Sequence, residues 1–599
     1  MLRALRGIGG AVPRLRARRK LQSFLVSTVN CRDVQRETLR RILALNAASD
    51  FSRERGLSAS LDVASFRQQV TIGDFETIRP YVERLKAGDS SALLGPRNRL
   101  LMFTLSSGTT SDSKYIPITS QFLADYRHGW QSWGIRAMDA HPRLHKLDIL
   151  QLASDYDQFR TPGGIPCGNI SGLVGAMQNP IVRQMYAAPQ AITRIRDAEA
   201  KQYATLRIAA ANRHVGLVMT ANPSTLIQLA RLADRECETL IRDLADGTCS
   251  PHFEVGPVSG GLRRRLTQRD RRRARELERA VERTGHLYPA AIWPALTLVG
   301  VWTGGSAGAY LETMRPLYGN VPVRDHGLSA SEGRMTIPIE DETSGGILDI
   351  GSHYFEFIPE AEHGQPNPTV LEAHELEPGQ DYYILLTTLS GLYRYDIRDV
   401  VRCTGFYGTT PTLEFLHKGA HIANLTGEKL SESQIVSAVR TVSRRRQLDL
   451  GHFTVAPVWG DPPRYRLHVE STSLPDEASW HRVLSEIDHE LQQLNCEYQD
   501  KRQSTRLALL EGRFLPNGTW GQFARLRQSK VGGSVEQYKH PCLIPDLQFS
   551  DRLWQDHAVP ILQSRGSEPW NRVPTPHIRA HRPASDSPRR HGMPRDAVD

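Results

Sequence analysis

The apolar positions change period along this chain, and the changes outline its elements. Val34, Leu39, Ile42, Leu43 and Leu45 keep helical spacing and predict an amphipathic helix over 34–45. Residues 66–85 read as further helix and loop, punctuated by Pro80. The continuous run Leu100-Leu-Met-Phe103 predicts a buried strand, and it runs into a loop of small polar residues, Leu105-Ser-Ser-Gly-Thr-Thr-Ser-Asp-Ser-Lys114. Strands are expected at 147–152, 214–219 and 296–302, a Gly/Pro-rich loop at 161–175, and a helix start at Asn222-Pro-Ser-Thr225. Two strands, 381–389 and 392–402, flank the turn Ser390-Gly391 and predict a hairpin.

The texture shifts after residue 418. Helical spacing at 434–442 and 480–494 alternates with strand patterns at 453–458 and 465–469, as suits a small α+β unit. The expected organisation is a basic unstructured extension over 1–20, a large α/β domain over 21–418, a smaller α+β domain over 419–556, and an unstructured Pro/Arg-rich tail over 557–599. The extension holds seven basic residues and no acid; its arginines suit an organelle presequence, its scarcity of serine does not.

Composition narrows the class. With 39% hydrophobic and 23% charged residues over 599 positions, the chain reads as globular and large enough for two domains. No apolar run approaches the roughly 18–20 residues of a membrane span, so no membrane partner is expected. Seven scattered cysteines without a C-x-x-C pair speak against a disulfide framework or zinc site and for a cytoplasmic protein. The net charge of +10 is carried mostly by arginine. In the arginine-rich 262–285, Ala274, Leu277 and Val281 keep helical spacing while Glu276, Glu278 and Glu282 interleave. That pattern predicts a solvated face laced with ion pairs; without stacking aromatics, no nucleic-acid partner is expected. There are only ten lysines, and Lys114, Lys418, Lys429 and Lys539 fall inside motifs, which hints at point-charge roles.

Chemistry concentrates in the polar loop. Gly108 permits close backbone approach, the flanking hydroxyls donate, and Lys114 adds a cation, so the loop suits phosphate. It is not a P-loop: Ser113 stands where the second glycine belongs and Tyr115 where the metal-binding hydroxyl belongs. An ordinary Ser/Thr turn is the competing reading. Glu332 follows a Ser-rich loop and suits Mg²⁺ or a turn; Asp399 suits two vicinal ribose hydroxyls or a cross-strand ion pair.

Taken together and in order, these segments resemble the adenylate-forming superfamily, and most closely the auxin-responsive acyl-acid amido synthetases, the Gretchen Hagen family, with their bacterial relatives. The resemblance runs over about 35–545. Besides the polar loop it rests on Tyr81-Val-Glu-Arg-Leu-Lys-Ala-Gly88, Val301-Trp-Thr-Gly-Gly-Ser306, Leu328-Ser-Ala-Ser-Glu332, Gly391-Leu-Tyr-Arg-Tyr395 with Asp399-Val-Val401, Thr404-Gly-Phe406, Leu425-Thr-Gly-Glu-Lys429, Leu494-Asn-Cys-Glu-Tyr498 with Arg502, and Gln537-Tyr-Lys-His-Pro541.

The resemblance implies an adenylating N-terminal domain under a mobile C-terminal cap, and a ligase that joins a carboxylic acid to an amine, usually of an amino acid, using ATP and Mg²⁺. It implies that Ser106, Ser107, Gly108, Thr109, Thr110 and Lys114 hold phosphates, that Ser331 and Glu332 serve the nucleotide with Glu332 near the metal, and that Asp399 holds the ribose. Lys418 falls near the hinge, and Lys539 matches the cap lysine that reaches the phosphates. A monomer is expected. A thiol acceptor, or a non-catalytic relative acting as a basic binding protein, stays open at this stage. The chain departs from the family at Leu328, where tyrosine is usual, and at Arg398, where glycine is common.

Overall fold

Burial of one helix face and both sheet faces organises the larger part of the molecule. In the computed structural model, residues 11–106, 114–178, 180–419, 422–423, 425–426, 428, 430–460, 462–470, 476–531 and 539–555 are described. Residues 1–550 pack as one unit. Residues 551–599 form a second, of which 551–555 are described, at the end of the helix Phe549–Gln555.

The predicted 34–45 helix spans Cys31–Asn46 and buries Leu39, Ile42 and Leu43. Its buried Gln35 donates to the carbonyls of Ile350 and His353 and accepts from the amide of Phe355, tying the helix to the strand Tyr354–Pro359. The segment 66–85 resolves into the helices Val63–Gln69 and Phe75–Lys86, capped by Asp62 and Asp74. Pro80 sits inside the second helix instead of ending it, because Phe75, Ile78, Val82 and Leu85 bury one face and outweigh a missing hydrogen bond.

Structure begins earlier than the basic composition implied. The helix Ala11–Ser27 covers half of the segment read as an extension, with Leu21 and Phe24 buried and Arg18 paired to Asp139. Arg16, Arg18 and Arg19 are exposed on it, so charge and helix coexist. The 161–175 loop likewise contains the strand Pro166–Gly168 and the helix Ile170–Ala176.

Three sheets frame the N-terminal part. A parallel sheet runs in the order Asp148–Gln151, Val215–Met219, Leu298–Gly300, Val323–Arg324. Its two central strands are short, buried and apolar on both faces, as covered parallel strands must be, while the outer ones carry Asp148, Gln151 and Arg324. Asn222 caps the helix Pro223–Arg235 behind it, as the sequence predicts. The arginine-rich stretch forms the helices Gly260–Leu266 and Arg271–Thr284; Ala274 and Leu277 are buried and Glu276 pairs with Arg272 and Arg273. A second sheet holds the hairpin Leu100–Ser106 and Lys114–Thr119 beside Pro166–Gly168 and Phe159–Arg160. A seven-stranded antiparallel sheet includes Asp381–Thr387, Tyr395–Tyr407 and Thr410–Lys418.

The C-terminal part has its own apolar core, built from the helices Glu432–Arg446 and Glu477–Leu494 on a sheet of Phe453–Val458, Arg464–Val469 and Glu511–Phe514. The fold is therefore mixed α/β, with a large N-terminal and a smaller C-terminal domain. Glu312 faces Arg444 at 2.7 Å, and the Tyr310 hydroxyl lies 2.8 Å from His452 Nδ1, so the two parts meet through polar contacts. Among the described residues, no helix is long and apolar enough to cross a membrane.

Candidate active site

Open parallel sheets present ligands at the carboxyl ends of their strands. Here those ends lead into Trp302 and Thr303 after one strand, and Asp325 and His326 after its neighbour. Asp325 joins the two loops: it accepts from Thr303 N at 2.6 Å, from Thr303 Oγ1 at 2.5 Å and from Gly327 N at 2.5 Å. Burial pushes its pKa up to about 6 against those bonds. Two glycine-rich segments of the sequence are thereby fixed to one another.

Glu332 lies in the second of these loops and is 6% exposed. Burial pushes its pKa up from the ordinary carboxylate range and Asp399 adds to the rise, while Lys418 and Lys114 oppose it. Ser331, beside it, is partly exposed, and Leu328 is buried in the core. Lys114 opens the returning strand of the hairpin, paired across it with Ser106. The segment is thus entered and left by two paired strands, whereas a P-loop passes from a strand into a helix. Ser107, Gly108, Thr109 and Thr110 lie outside the described residues, as does Lys429.

Asp399 and Lys418 face each other across adjacent strands, with Lys418 Nζ donating to Asp399 Oδ1 at 2.6 Å and to the carbonyl of Ile397 at 3.3 Å. Burial works against the Lys418 ammonium, yet Asp399 and then Glu332 outweigh it and raise its pKa. Lys418 therefore joins Asp399 and Glu332 in one charged cluster at the end of its strand. The ion-pair alternative for Asp399 is present too, with a partner on the strand beyond the predicted hairpin; within that hairpin, Arg402 pairs with Asp381 at 2.7 Å.

From the C-terminal part comes Lys539. Its ammonium stands 3.4 Å from the ring centre of Trp302, a cation–π contact. Trp302 in turn packs on Phe415 at 5.2 Å. The lysine is open to solvent but ringed by protein: desolvation first, then Lys418, brings its pKa down to about 8 against Asp399, Glu432 and Asp325. Glu432 accepts from the amides of Cys542 at 2.6 Å and Leu543 at 3.3 Å, which anchors the segment carrying Lys539. Trp302 and Glu432 escaped the sequence reading. Trp302 sits inside a motif, but nothing local tells a stacking partner from a core residue.

Some motif residues turn out to be structural. Tyr393 stacks on Phe51 at 5.1 Å, and Arg394 is buried, bonded to Glu356 at 2.9 Å and to the carbonyls of Arg67 and Val70. Glu428 accepts from Leu425 N, Thr426 N and Tyr465 Oη and holds its own turn together. Tyr498 and Arg502 both bond Asp488.

Arg398 adopts φ of +58°, a left-handed conformation that favours glycine. The register slips at this point of the sheet, so the strand bulges just before Asp399. Left-handed backbone costs a side-chain-bearing residue about 1–2 kcal/mol. The guanidinium is half exposed and its 3.2 Å contact with Asp74 adds little. Arg398→Gly is therefore expected to raise the denaturant midpoint by the equivalent of roughly 0.5–1 kcal/mol, after the greater chain entropy of glycine is subtracted. A lower midpoint would mean that the Asp74 contact outweighs the strain.

Comparison with known proteins places these features. Family models match three consecutive stretches: the GH3 family N-terminal domain over 20–323, the GH3 family central domain over 346–418 and the GH3 family C-terminal domain over 433–548. The chain is 23% identical over 565 residues to an indole-3-acetic acid-amido synthetase, GH3.3, of Arabidopsis thaliana, covering 89% of this chain and 94% of the relative. It is 26% identical over 558 residues to a jasmonoyl–L-amino acid synthetase, JAR4, of Nicotiana attenuata, covering 88% and 93%. Among solved structures it is similar in fold to GH3.15 acyl acid amido synthetase, with a TM-score of 0.77 at 20% identity, covering 90% of this chain and 95% of the other.

Proposed function

Since the chain belongs to the GH3 family, we propose that it is an ATP-dependent acyl-acid amido synthetase, joining a carboxylic acid to the amine of an amino acid. The observation that carries the reading is the gathering of Lys114 from the hairpin, Lys418 from the seven-stranded sheet and Lys539 from the C-terminal part around Glu332 and Asp399, beside the loops that follow the parallel strands. Family membership and the named relatives support the same chemistry.

In the first step a carboxylate oxygen of the acid attacks the α-phosphorus of ATP. The acyl–O–P bond forms, the bond to the β-phosphate oxygen breaks, and pyrophosphate leaves. Two anions approach each other, so the barrier falls only where fixed cations meet the developing charge. Lys539 supplies one from the cap and Lys114 one from the hairpin. Asp399 takes the ribose hydroxyls, with Lys418 holding its carboxylate in place. Ser106, Ser331 and the polar loop residues Ser107, Gly108, Thr109 and Thr110 are assigned to the phosphates. In the second step the free amine attacks the acyl carbon, the C–N bond forms as the acyl C–O bond to AMP breaks, AMP leaves, and the amine nitrogen releases one proton to solvent.

Mg²⁺ suits one carboxylate plus phosphate oxygens. Glu332 fits that demand, as a buried carboxylate whose charge is disfavoured until a cation meets it. The metal would supply charge neutralisation to the phosphates. The scattered unpaired cysteines support a cytoplasmic protein, and we take it as a monomer.

The test is acid-dependent ATP–pyrophosphate exchange, followed by product analysis with amino acids or thiols. Exchange followed by amide product is expected. Exchange with thioester product would replace the acceptor, and absence of both exchange and ATP binding would remove the enzyme reading.

A further inference from the structure

Arg334 is the least compensated charge in the described residues near the cleft. It is 1% exposed, and its Nη2 donates to the carbonyl of His326 at 2.6 Å. Nε and Nη1 are buried without a hydrogen-bond partner, and the guanidinium makes no ion pair among the described residues. Leaving a buried charged donor unmet is costly, so such a group implies a partner.

Its surroundings say what kind. The guanidinium lies 4.4 Å over the Trp130 ring, and Trp130 meets the His326 ring edge-on at 5.0 Å. His326 Nε2 is itself buried without a partner, and burial followed by the nearby Arg334 keeps this ring neutral, its pKa down at about 3. Trp130, Tyr126 and His326 are each only partly buried, so aromatic surface beside the guanidinium stays accessible. Gly129 leaves the room: a Cβ there would come within 2.6 Å of Arg334 Cδ and 2.7 Å of Nε. His326 follows the last parallel strand, at the sheet end where open α/β sheets take ligands. Glu332 lies two residues before Arg334, yet its field comes from Lys418, Asp399 and Lys114, whereas that of Arg334 comes from Tyr126, Asp349 and Asp325.

We propose that Arg334, with His326, forms the selective end of the acyl-acid pocket, and that the acid activated here is aromatic and carries a second carboxylate remote from the reacting one. This rests on the ligase reading above. Arg334 would donate to the second carboxylate, and the rings of Trp130 and Tyr126 would flank the aromatic body. The competing role is a purely structural counter-charge for Asp349, a buried carboxyl whose pKa rises to about 7 through burial and Asp125.

The experiment is ATP–pyrophosphate exchange by the full chain with benzoate and with benzene-1,3- and benzene-1,4-dicarboxylate. In the wild-type protein one dicarboxylate is expected to exceed benzoate in kcat/KM by roughly 10- to 100-fold, the worth of a hydrogen bond to a charged group. Arg334→Met should bring that ratio close to one, and Arg334→Lys should keep part of it. A wild-type ratio near or below one overturns the proposal while leaving the ligase reading intact. So does an unchanged ratio in Arg334→Met, which would mean a structural role or contact with the reacting carboxylate. No exchange with any of the three acids in protein that still binds ATP overturns this proposal and leaves the ligase reading intact, whereas loss of ATP binding as well overturns both. If Arg334→Met fails to fold by circular dichroism, the wild-type ratio and Arg334→Lys decide.

Discussion

Lys539→Ala is expected to lower acid-dependent ATP–pyrophosphate exchange by roughly 10²- to 10³-fold, the usual cost of deleting one fixed donor aimed at developing charge. The ammonium comes from the smaller domain and stands over Trp302 within the field of Asp399, so it is already delivered to the cleft. Folding should be untouched, because the side chain is open to solvent and its segment is anchored by Glu432 instead. Attack of an amine on a supplied acyl-adenylate should fall far less, since that step has no pyrophosphate charge to stabilise. Equal losses in both half-reactions would contradict a role confined to adenylation. The pH profile gives an independent check. With its pKa near 8 in the free protein, Lys539 is charged below that value and neutral above it. kcat/KM for ATP should therefore fall as pH rises through about 8, and Lys539→Arg should flatten that limb. A profile that stays level to pH 9.5 in the wild type would mean that this ammonium is not needed.

Glu332→Gln is expected to cost a similar 10²- to 10³-fold in exchange and to raise the Mg²⁺ concentration for half-maximal rate. The substitution keeps size and removes only charge. Its effect on stability has the opposite sign. The folded protein holds the Glu332 proton more tightly than the unfolded chain does, because burial disfavours the anion. The folded state therefore binds more protons between the ordinary carboxylate pKa and the raised one, and its stability falls as pH rises through that window. Glu332→Gln should remove this loss and leave the protein as stable as the wild type or more so at pH 7. Activity lost together with stability at pH 7 would point to a packing defect and would sink the metal assignment.

The helix Cys31–Asn46, the strand Phe453–Val458 and the Asn222 cap were legible because periodicity and capping are local. The start of the helix Ala11–Ser27 was not, since its arginines resemble a solvated tail until the burial of Leu21 and Phe24 is known. Pro80 misled for the same reason: a local rule lost to tertiary packing. In the candidate site, residue types and motif order singled out Lys114, Glu332, Asp399, Lys418 and Lys539. They did not separate Arg394 and Glu428, which hold loops and a buried ion pair, from residues that face the cleft.

By itself the sequence determined the α/β class, the change of texture past residue 418 and the set of charged residues available for chemistry, because each depends on neighbours along the chain. Tertiary structure alone decided that Lys418 pairs with Asp399 across two strands, that Trp302 receives Lys539 from 237 positions away, and that Arg334 is buried with Nε and Nη1 unbonded among the described residues. Those are facts of which surfaces meet and which charges lose water, and desolvation is fixed by the whole fold rather than by any segment of it.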